Sequence, residues 1–407
     1  MSEPQDEPLR GVVLPLAIAQ IIVWAAMFYS FPALLLEWER DLGWTKTELS
    51  GAFTLALVLS AILAPVVGRF IDHGLARYVF TGCGLLGAAM LVLLSAVSAP
   101  WQFYLVWAGL GVAMAGCLYE ACFAVVTRAM GSTAKRAITL ITLLGGFAGT
   151  VSFPSAYVLI GFVGWRGAAL TFAAAVAFVA VPLIWKGVLA AERGRDIEVH
   201  SASPSASDAM RILKRATFWL LAVSFSMIAL QHGILLTHLL PLLDSRGFHA
   251  ETAVLAASMI GPMQVVGRLA LVAIGHRGSN MVVAVACFIA IGIASIALLE
   301  TRVIPMLLVA FVLFQGSGYG VTSIVRPVVT ADLLGRRNFG IISGFIATPF
   351  YLATAAAPTI AAFVWERGGY DRVILFALSA AGVGLVALLM AAWLHKGGAR
   401  NSQGDST

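Results

Sequence analysis

The chain of 407 residues is 60% hydrophobic and only 11% charged, with a mean hydropathy of +0.92. Soluble domains carry roughly 25% charged residues, so these values exclude a soluble globular protein and predict an integral membrane protein. The net charge of +6 comes from basic residues at the ends of apolar segments, with no run of five, which argues against nucleic-acid binding.

Long apolar runs predict an all-α membrane fold with twelve transmembrane helices. A helix needs about 20 apolar residues to cross a bilayer, and no segment shows the alternating polarity of a transmembrane β-strand. The predicted spans are 11–35, 48–70, 78–97, 102–127, 138–162 and 167–188, followed by 216–240, 252–275, 280–299, 303–327, 339–364 and 372–394.

A polar segment between the two sets of six spans predicts the domain organisation. Its run from Ser201 to Ser207, S-A-S-P-S-A-S, has the composition of a flexible linker. We therefore predict a six-helix bundle at 1–189, a linker at 190–213, a second six-helix bundle at 214–396 and a tail at 397–407.

The basic residues predict the orientation of the chain in the membrane. With the N-terminus in the cytoplasm, 19 of the 26 Lys and Arg residues lie on the cytoplasmic side and 7 on the other. Membrane proteins retain positive charge on the cytoplasmic side. We therefore expect both termini and the linker to be cytoplasmic.

The second half of the sequence repeats features of the first. Four features recur at offsets of 199, 198, 204 and 205 residues. They are Gly68-Arg69 with Gly267-Arg268, Arg128 with Arg326, Pro154 with Pro358, and Gly164 with Gly369. The nearly constant offset predicts two parallel halves of six helices, related by an axis along the membrane normal.

The stretch from Gly68 to Arg77, G-R-F-I-D-H-G-L-A-R, resembles the signature loop between the second and third helices of the major facilitator superfamily. Twelve spans, a central linker and a half-length repeat agree with that family. Three further motifs, Gly43-Trp44, the sequence G-A-F-T at 51–54 and Gly267-Arg268, are similar to the bacterial relatives of the monocarboxylate and oxalate/formate carriers. The resemblance implies a transporter of a bacterial inner membrane that works by alternating access.

The resemblance also implies that the signature loop gates transport. Asp72, Arg69 and Arg77 would form a charge-relay latch that holds the outward-open state, while Gly68 and Gly74 would permit close helix approach and a tight turn. The alternative is that the two arginines only anchor the topology.

Arg268, late in the eighth span, is a candidate for binding the substrate. An arginine at this place binds the substrate carboxylate in carriers of the resembled family, and its planar guanidinium suits a carboxylate. As the repeat partner of Arg69, Arg268 is equally a candidate for a structural role. The family's eukaryotic members have an aspartate one turn earlier, where this chain has Gln264, so the usual proton-coupling pair is in doubt.

Further ionisable residues lie within predicted spans, where each costs at least ~2.5–3.5 kcal/mol and is a functional candidate. Glu120 is the candidate for proton coupling, with a static ion pair or a cavity-facing carboxylate as alternatives. His232 is a candidate substrate ligand or a histidine bonded within the core. Arg128 and Arg326 end the fourth and tenth spans, and both are candidates for gating.

Aromatic residues supply the remaining candidates. Tyr29, Tyr119 and Tyr351 are candidates for lining a substrate cavity, although aromatic residues in membrane helices more often serve packing. Trp38 and Trp107 lie toward the ends of predicted spans and are expected at the membrane interfaces.

The sequence contains no nucleotide-binding, nucleophile or metal-ligand motif. We therefore expect no enzymatic activity, no cofactor and no metal, and a secondary transporter for small organic anions with proton coupling or exchange. The expected partners are the substrate, a proton or counter-substrate and the lipid bilayer, with the protein a monomer. The alternatives are a proton-driven exporter of amphipathic drugs or metabolites, and a membrane receptor that has kept the fold without transport.

Overall fold

The computed structural model describes residues 9–130, 134–193, 213–274, 279–335 and 339–404. Within these ranges every regular element is helical. Ten continuous apolar segments are long enough to cross a membrane, and two of them, 136–193 and 345–395, have 58 and 51 residues. A straight helix of the first length would measure about 90 Å, roughly three times the hydrocarbon thickness.

Both long segments are broken by a glycine at matching places in the repeat. Gly164 has φ 69° and Gly369 has φ 72°, with extended ψ values of 174° and −173°. This left-handed backbone region is open to glycine and strained for other residues. Each long segment therefore contributes two helices, so the described residues form twelve apolar helices, one for each predicted span.

The helices are numbered in chain order. They are α1, Gly11–Leu42; α2, Lys46–Phe70; α3, Ala76–Leu94; α4, Pro100–Cys117 continued by Tyr119–Met130; α5, Ala134–Gly145 continued by 148–163; α6, 165–193; α7, Ala216–Ser245; α8, Ala250–Ile274; α9, Asn280–Glu300; α10, Leu307–Leu334; α11, 339–367; and α12, 370–404.

The described residues form two compact units. Unit one consists of the described residues of Met1–His200 together with Leu239–Gly261. Unit two consists of the described residues of Ser201–His238 and Pro262–Thr407. The segment Leu239–Gly261, from the end of α7 and the start of α8, thus clusters with α1–α6. In that unit Thr150 Oγ1 donates to the Ser258 carbonyl at 2.7 Å.

Stacked aromatic rings form part of the core of unit one. Phe31 and Phe53 are parallel at 4.3 Å between centroids, and Trp107 meets each of them edge-on at 5.1 and 5.2 Å. Trp38 packs against Phe31 and is fully buried, as is Trp107. Aromatic packing inside the unit therefore encloses both rings, and their position at the membrane interfaces stays a prediction.

Unit two has an aliphatic and phenylalanine core drawn from α7, α9, α10, α11 and α12. Helices α8 and α10 of this unit are in close backbone contact. An added Cβ at Gly267 would lie 2.5 Å from the Ser317 carbonyl oxygen, and one at Gly320 would lie 2.5 Å from Gln264 Cα. Two glycines on facing helices thus let the backbones approach closely, which is how membrane helices gain dispersion contact.

Candidate functional site

The signature loop forms a tight turn between α2 and α3. Gly74 has φ 85°, so the expected need for glycine is present there. Arg69 is exposed, and its carbonyl is 2.7 Å from His73 Nδ1. The Asp72 side chain lies outside the described part of the structure, so the latch remains a prediction.

Arg77 contacts residues at the end of α6 in its own unit. Its guanidinium lies 4.7 Å from the centre of the Trp185 ring and 5.0 Å from that of Tyr78. Its Nε is 3.9 Å from Glu192 Oε2, with both side chains about one-quarter exposed. All four residues belong to unit one, so these contacts hold Arg77 against its own bundle through cation–π and charge attraction.

Gly68 differs from its repeat partner in packing. A Cβ added at Gly68 would meet no described atom within 4 Å, whereas Gly267 is in backbone contact with α10. Among the described residues, the close helix approach is therefore found at Gly267 and not at Gly68.

Two aromatic candidates of unit one, Tyr29 and Tyr119, lie close to the same tryptophan, Trp24. The Trp24 ring is 4.8 Å from that of Tyr119 and 6.5 Å from that of Tyr29. Tyr119 also stacks on Phe123 at 5.1 Å. Residues Trp24–Tyr29 form a π-helical stretch within α1, a distortion that occurs often at functional sites. Tyr29 and Tyr119 thus belong to one aromatic cluster, which we call the α1–α4 cluster.

Helix α4 is interrupted beside this cluster. Leu118 has extended backbone angles (φ −88°, ψ −163°), which separates Pro100–Cys117 from Tyr119–Met130. The Cys117 carbonyl accepts from Gln20 Nε2 at 2.9 Å, and Trp24 Nε1 donates to Gln20 Oε1 at 3.1 Å. A buried amide therefore satisfies a backbone group freed by the break, as the membrane interior requires.

Glu120 lies in the first turn after the break and is exposed. The structure therefore favours the cavity- or surface-facing alternative over a carboxyl group buried in the protein. A carboxylate in the first turn of a helix is stabilised by the helix dipole. Its role in proton coupling stays a prediction.

In unit two, His232 is buried in a polar network. Its Nδ1 lies 3.1 Å from Gln315 Nε2, and Gln315 in turn pairs with Gln231. The imidazole stacks on the Tyr319 ring at 3.4 Å between centroids and 7° between planes. His232 thus has partners on α10, and it retains 6% of its surface.

Arg268 and Gln264 lie where α8 meets α10. Arg268 Nε donates to the Gly320 carbonyl at 2.9 Å, and Gln264 is buried with its backbone against Gly320. His232 stacks on Tyr319, which directly precedes Gly320, the residue whose carbonyl accepts from Arg268. Two of the predicted substrate ligands, Arg268 and His232, therefore contact adjacent residues of α10 in unit two.

Arg326 lies over an aromatic ring of α11. Its guanidinium carbon is 4.2 Å from the centre of the Phe350 ring, and its Nη1 is buried. Tyr351 meets Phe350 edge-on at 5.6 Å but is 40% exposed. The Arg128 side chain, the repeat partner of Arg326, lies outside the described part of the structure.

Four buried residues of these sites were not predicted from sequence. They are Gln20, Gln231, Ser295 and Gln315. The sequence did carry a signal for the three glutamines, because each amide lies inside an apolar run. An amide buried there costs free energy unless it has a hydrogen-bond partner, as a charged group does. In both units a buried glutamine links the first helix of the half to the fourth, Gln20 to Cys117 and Gln231 to Gln315.

Twelve apolar helices, a half-length repeat and polar clusters inside each unit define a polytopic membrane transporter. The chain belongs to the Major Facilitator Superfamily, whose family model matches residues 16–301. As a member of that family it binds small molecules, lies in the lipid bilayer and is a transporter rather than an enzyme, built on a fold that works by alternating access.

Solved structures of other transporters share this fold. A bacterial homologue of the human lysosomal transporter Spinster, in an inward-facing and unoccupied conformation, has 13% identity and a TM-score of 0.69, with 97% of each chain covered. The nucleoside transporter NupG has 16% identity and a TM-score of 0.69, with 94% of this chain and 98% of that chain covered. No match was found among curated proteins.

Proposed function

We propose that the protein moves small organic anions, monocarboxylate-like in character, across a bacterial inner membrane with proton coupling or by exchange. The observation that carries this proposal is Arg268, which is half-buried on α8 and fixed to the Gly320 carbonyl. A guanidinium in a membrane protein is retained only where it binds or pairs. It remains charged at every physiological pH, which suits an anion of fixed charge.

The neighbours of Arg268 support an anion rather than a cation as substrate. Arg326 supplies a second positive charge, two helical turns after Tyr319 and on the same face of α10. Gln264 stands one turn before Arg268, where a carboxylate would neutralise it. A site with two guanidinium groups and an amide attracts negative charge.

The proposal is tested by uptake of radiolabelled formate, L-lactate, pyruvate and oxalate into proteoliposomes, with and without an imposed pH gradient. In Arg268→Ala we expect a loss of about tenfold or more, the value of one charge-assisted hydrogen-bonded pair. Arg268→Lys is the matched control, which keeps the charge but loses the planar fork, and we expect partial activity. Uptake by Arg268→Ala at the wild-type rate would remove this residue from the site.

Proton coupling is proposed to depend on Glu120, because Gln264 cannot carry a proton. The variant Glu120→Gln keeps the shape and loses the titratable group. We expect it to retain exchange of labelled for unlabelled anion while losing the stimulation of net uptake by a pH gradient. Gradient-driven uptake equal to wild-type would exclude Glu120 as the proton carrier.

The α1–α4 cluster favours a second candidate, a proton-driven exporter of amphipathic drugs or metabolites. Trp24, Tyr29, Tyr119 and Phe123 offer ring faces to an apolar or cationic solute. Efflux of a lipophilic cationic dye that is lost in Tyr119→Ala and kept in Arg268→Ala would favour the exporter.

A further inference from the structure

A closed hydrogen-bond network lies behind His232 in unit two. Gln231 Nε2 donates to Gln315 Oε1 at 3.0 Å, and Gln315 Nε2 donates to Gln231 Oε1 at 3.1 Å, so the two amides form a cyclic pair. The second N–H of Gln231 reaches Ser295 Oγ at 3.1 Å, and Ser295 Oγ donates to the Ile291 carbonyl at 3.1 Å. The second N–H of Gln315 points at His232 Nδ1, also at 3.1 Å.

Only two arrangements of hydrogen atoms fit these positions. In the first, both amides are oriented as described, Ser295 donates to Ile291, and His232 Nδ1 accepts from Gln315. In the second, both amides are turned over together, Ser295 donates to Gln231, and Nδ1 must carry a proton that it donates to Gln315. The first arrangement makes five hydrogen bonds and the second makes four, since Ser295 has one hydrogen atom to donate.

The first arrangement fixes the tautomer of His232. Because Nδ1 is an acceptor, the ring proton is on Nε2 and the imidazole is neutral. Among the described residues Nε2 has no hydrogen-bond partner, and no carboxylate contacts the ring. The ring stacks on Tyr319, and Arg268 donates to the carbonyl of the next residue, Gly320.

We propose that His232 is a neutral hydrogen-bond donor, through Nε2, to an acceptor oxygen of the substrate, and that Gln315, Gln231 and Ser295 are positioning residues that hold its tautomer. This inference rests on the proposed function for the class of substrate, since a carboxylate supplies such an oxygen. It gives His232 the task of orientation rather than of proton transport. The amide that donates to Nδ1 opposes the imidazolium form, because that form carries a proton on both ring nitrogens.

The first test separates the two ring nitrogens by substitution. Glutamine places its amide near the position of Nε2, whereas asparagine reaches only that of Nδ1. We expect His232→Gln to keep the affinity for labelled pyruvate within about twofold, and His232→Asn to lose about tenfold, the value of one neutral hydrogen bond. Equal loss in both variants would overturn the role of Nε2.

The second test reads the tautomer directly and needs no substrate. In protein labelled with ¹⁵N-histidine, the His232 signals are assigned by their loss in His232→Gln, and the two nitrogen shifts report which one carries the proton. We expect the Nε2–H tautomer between about pH 6 and 8, a range in which an unperturbed histidine titrates. A signal that titrates across this range, or an Nδ1–H tautomer, would overturn the proposal.

Ser295→Ala is the control for the positioning residues, because the serine contacts Gln231 and not His232. Without the serine hydroxyl, the two arrangements make equal numbers of hydrogen bonds. We therefore expect the His232 signal to become a mixture of the two tautomers. Because this readout is independent of transport, a correct tautomer with no pyruvate uptake would refute the proposed substrate class alone. An unchanged tautomer in Ser295→Ala would refute the network.

Discussion

Gly68 and Gly267 are the same residue in two copies of one repeat, yet they have different surroundings. A Cβ at Gly267 would lie 2.5, 2.7 and 2.9 Å from the backbone O, Cα and C of Ser317, whereas at Gly68 it would meet nothing within 4 Å. Backbone atoms cannot rotate away as a side chain can, so a methyl group at Gly267 must push α8 from α10.

We therefore predict opposite effects of one substitution at two matched sites. Gly267→Ala should lower the free energy of unfolding by about 1–3 kcal/mol through overpacking. Gly68→Ala should be neutral or raise it by up to about 1 kcal/mol, because alanine is the better helix former. Thermal unfolding of both variants in the same detergent checks this. Equal midpoints for the two variants would show that the α8–α10 contact does not hold unit two together.

At the residue scale, the sequence indicated which positions carry charge but not which polar side chains meet. Arg268 and His232 were identifiable because ionisable groups are rare in an apolar chain. The pairing of Gln231 with Gln315 joins residues 84 positions apart, and no local pattern encodes it. The exposure of Glu120 follows from the helix break at Leu118, which is likewise set by tertiary contacts.

At the scale of elements, the break in α4 depends on a partner from α1. No proline lies near Leu118, and the carbonyl of Cys117 would be left without a donor if Gln20 were absent. The sequence predicted a continuous span over 102–127, because hydropathy reports apolar length and not backbone continuity. In contrast, glycine in a turn is a local requirement, and the boundary between α5 and α6 was predictable at Gly164.

We predict that Gln20→Leu destabilises unit one by about 1–3 kcal/mol, the cost of one buried carbonyl left unsatisfied. The variant Trp24→Phe is its control, because it removes only the 3.1 Å bond to Gln20 Oε1 and keeps an aromatic ring at that place. Thermal unfolding in detergent should show the larger loss for Gln20→Leu. A larger loss for Trp24→Phe would mean that the aromatic cluster, and not the amide, supports the break.

At the scale of the whole molecule, the fold followed from quantities that the sequence states directly. Apolar length gives the number of spans, and the nearly constant offset between the halves gives the repeat. The same reasoning was insufficient for the partner of Arg77. The signature loop indicates that an arginine is needed at position 77 but not which residues it contacts. The positions of Trp185 and Glu192 at the end of α6 determine where the Arg77 guanidinium lies.

The orientation in the membrane is the remaining property that charge alone predicts, and cysteine labelling tests it. Ser98, between α3 and α4, and Lys214, just before α7, are both exposed, so each accepts a cysteine without loss of packing.

In a background with Cys83, Cys117, Cys122 and Cys287 replaced by alanine, Ser98→Cys should react with a membrane-impermeant maleimide in intact cells. Lys214→Cys should react only after the membrane is opened, because the cytoplasmic excess of basic residues, 19 against 7, places the linker inside. Labelling of both in detergent controls for access, and the reverse pattern in cells would invert the orientation of every helix.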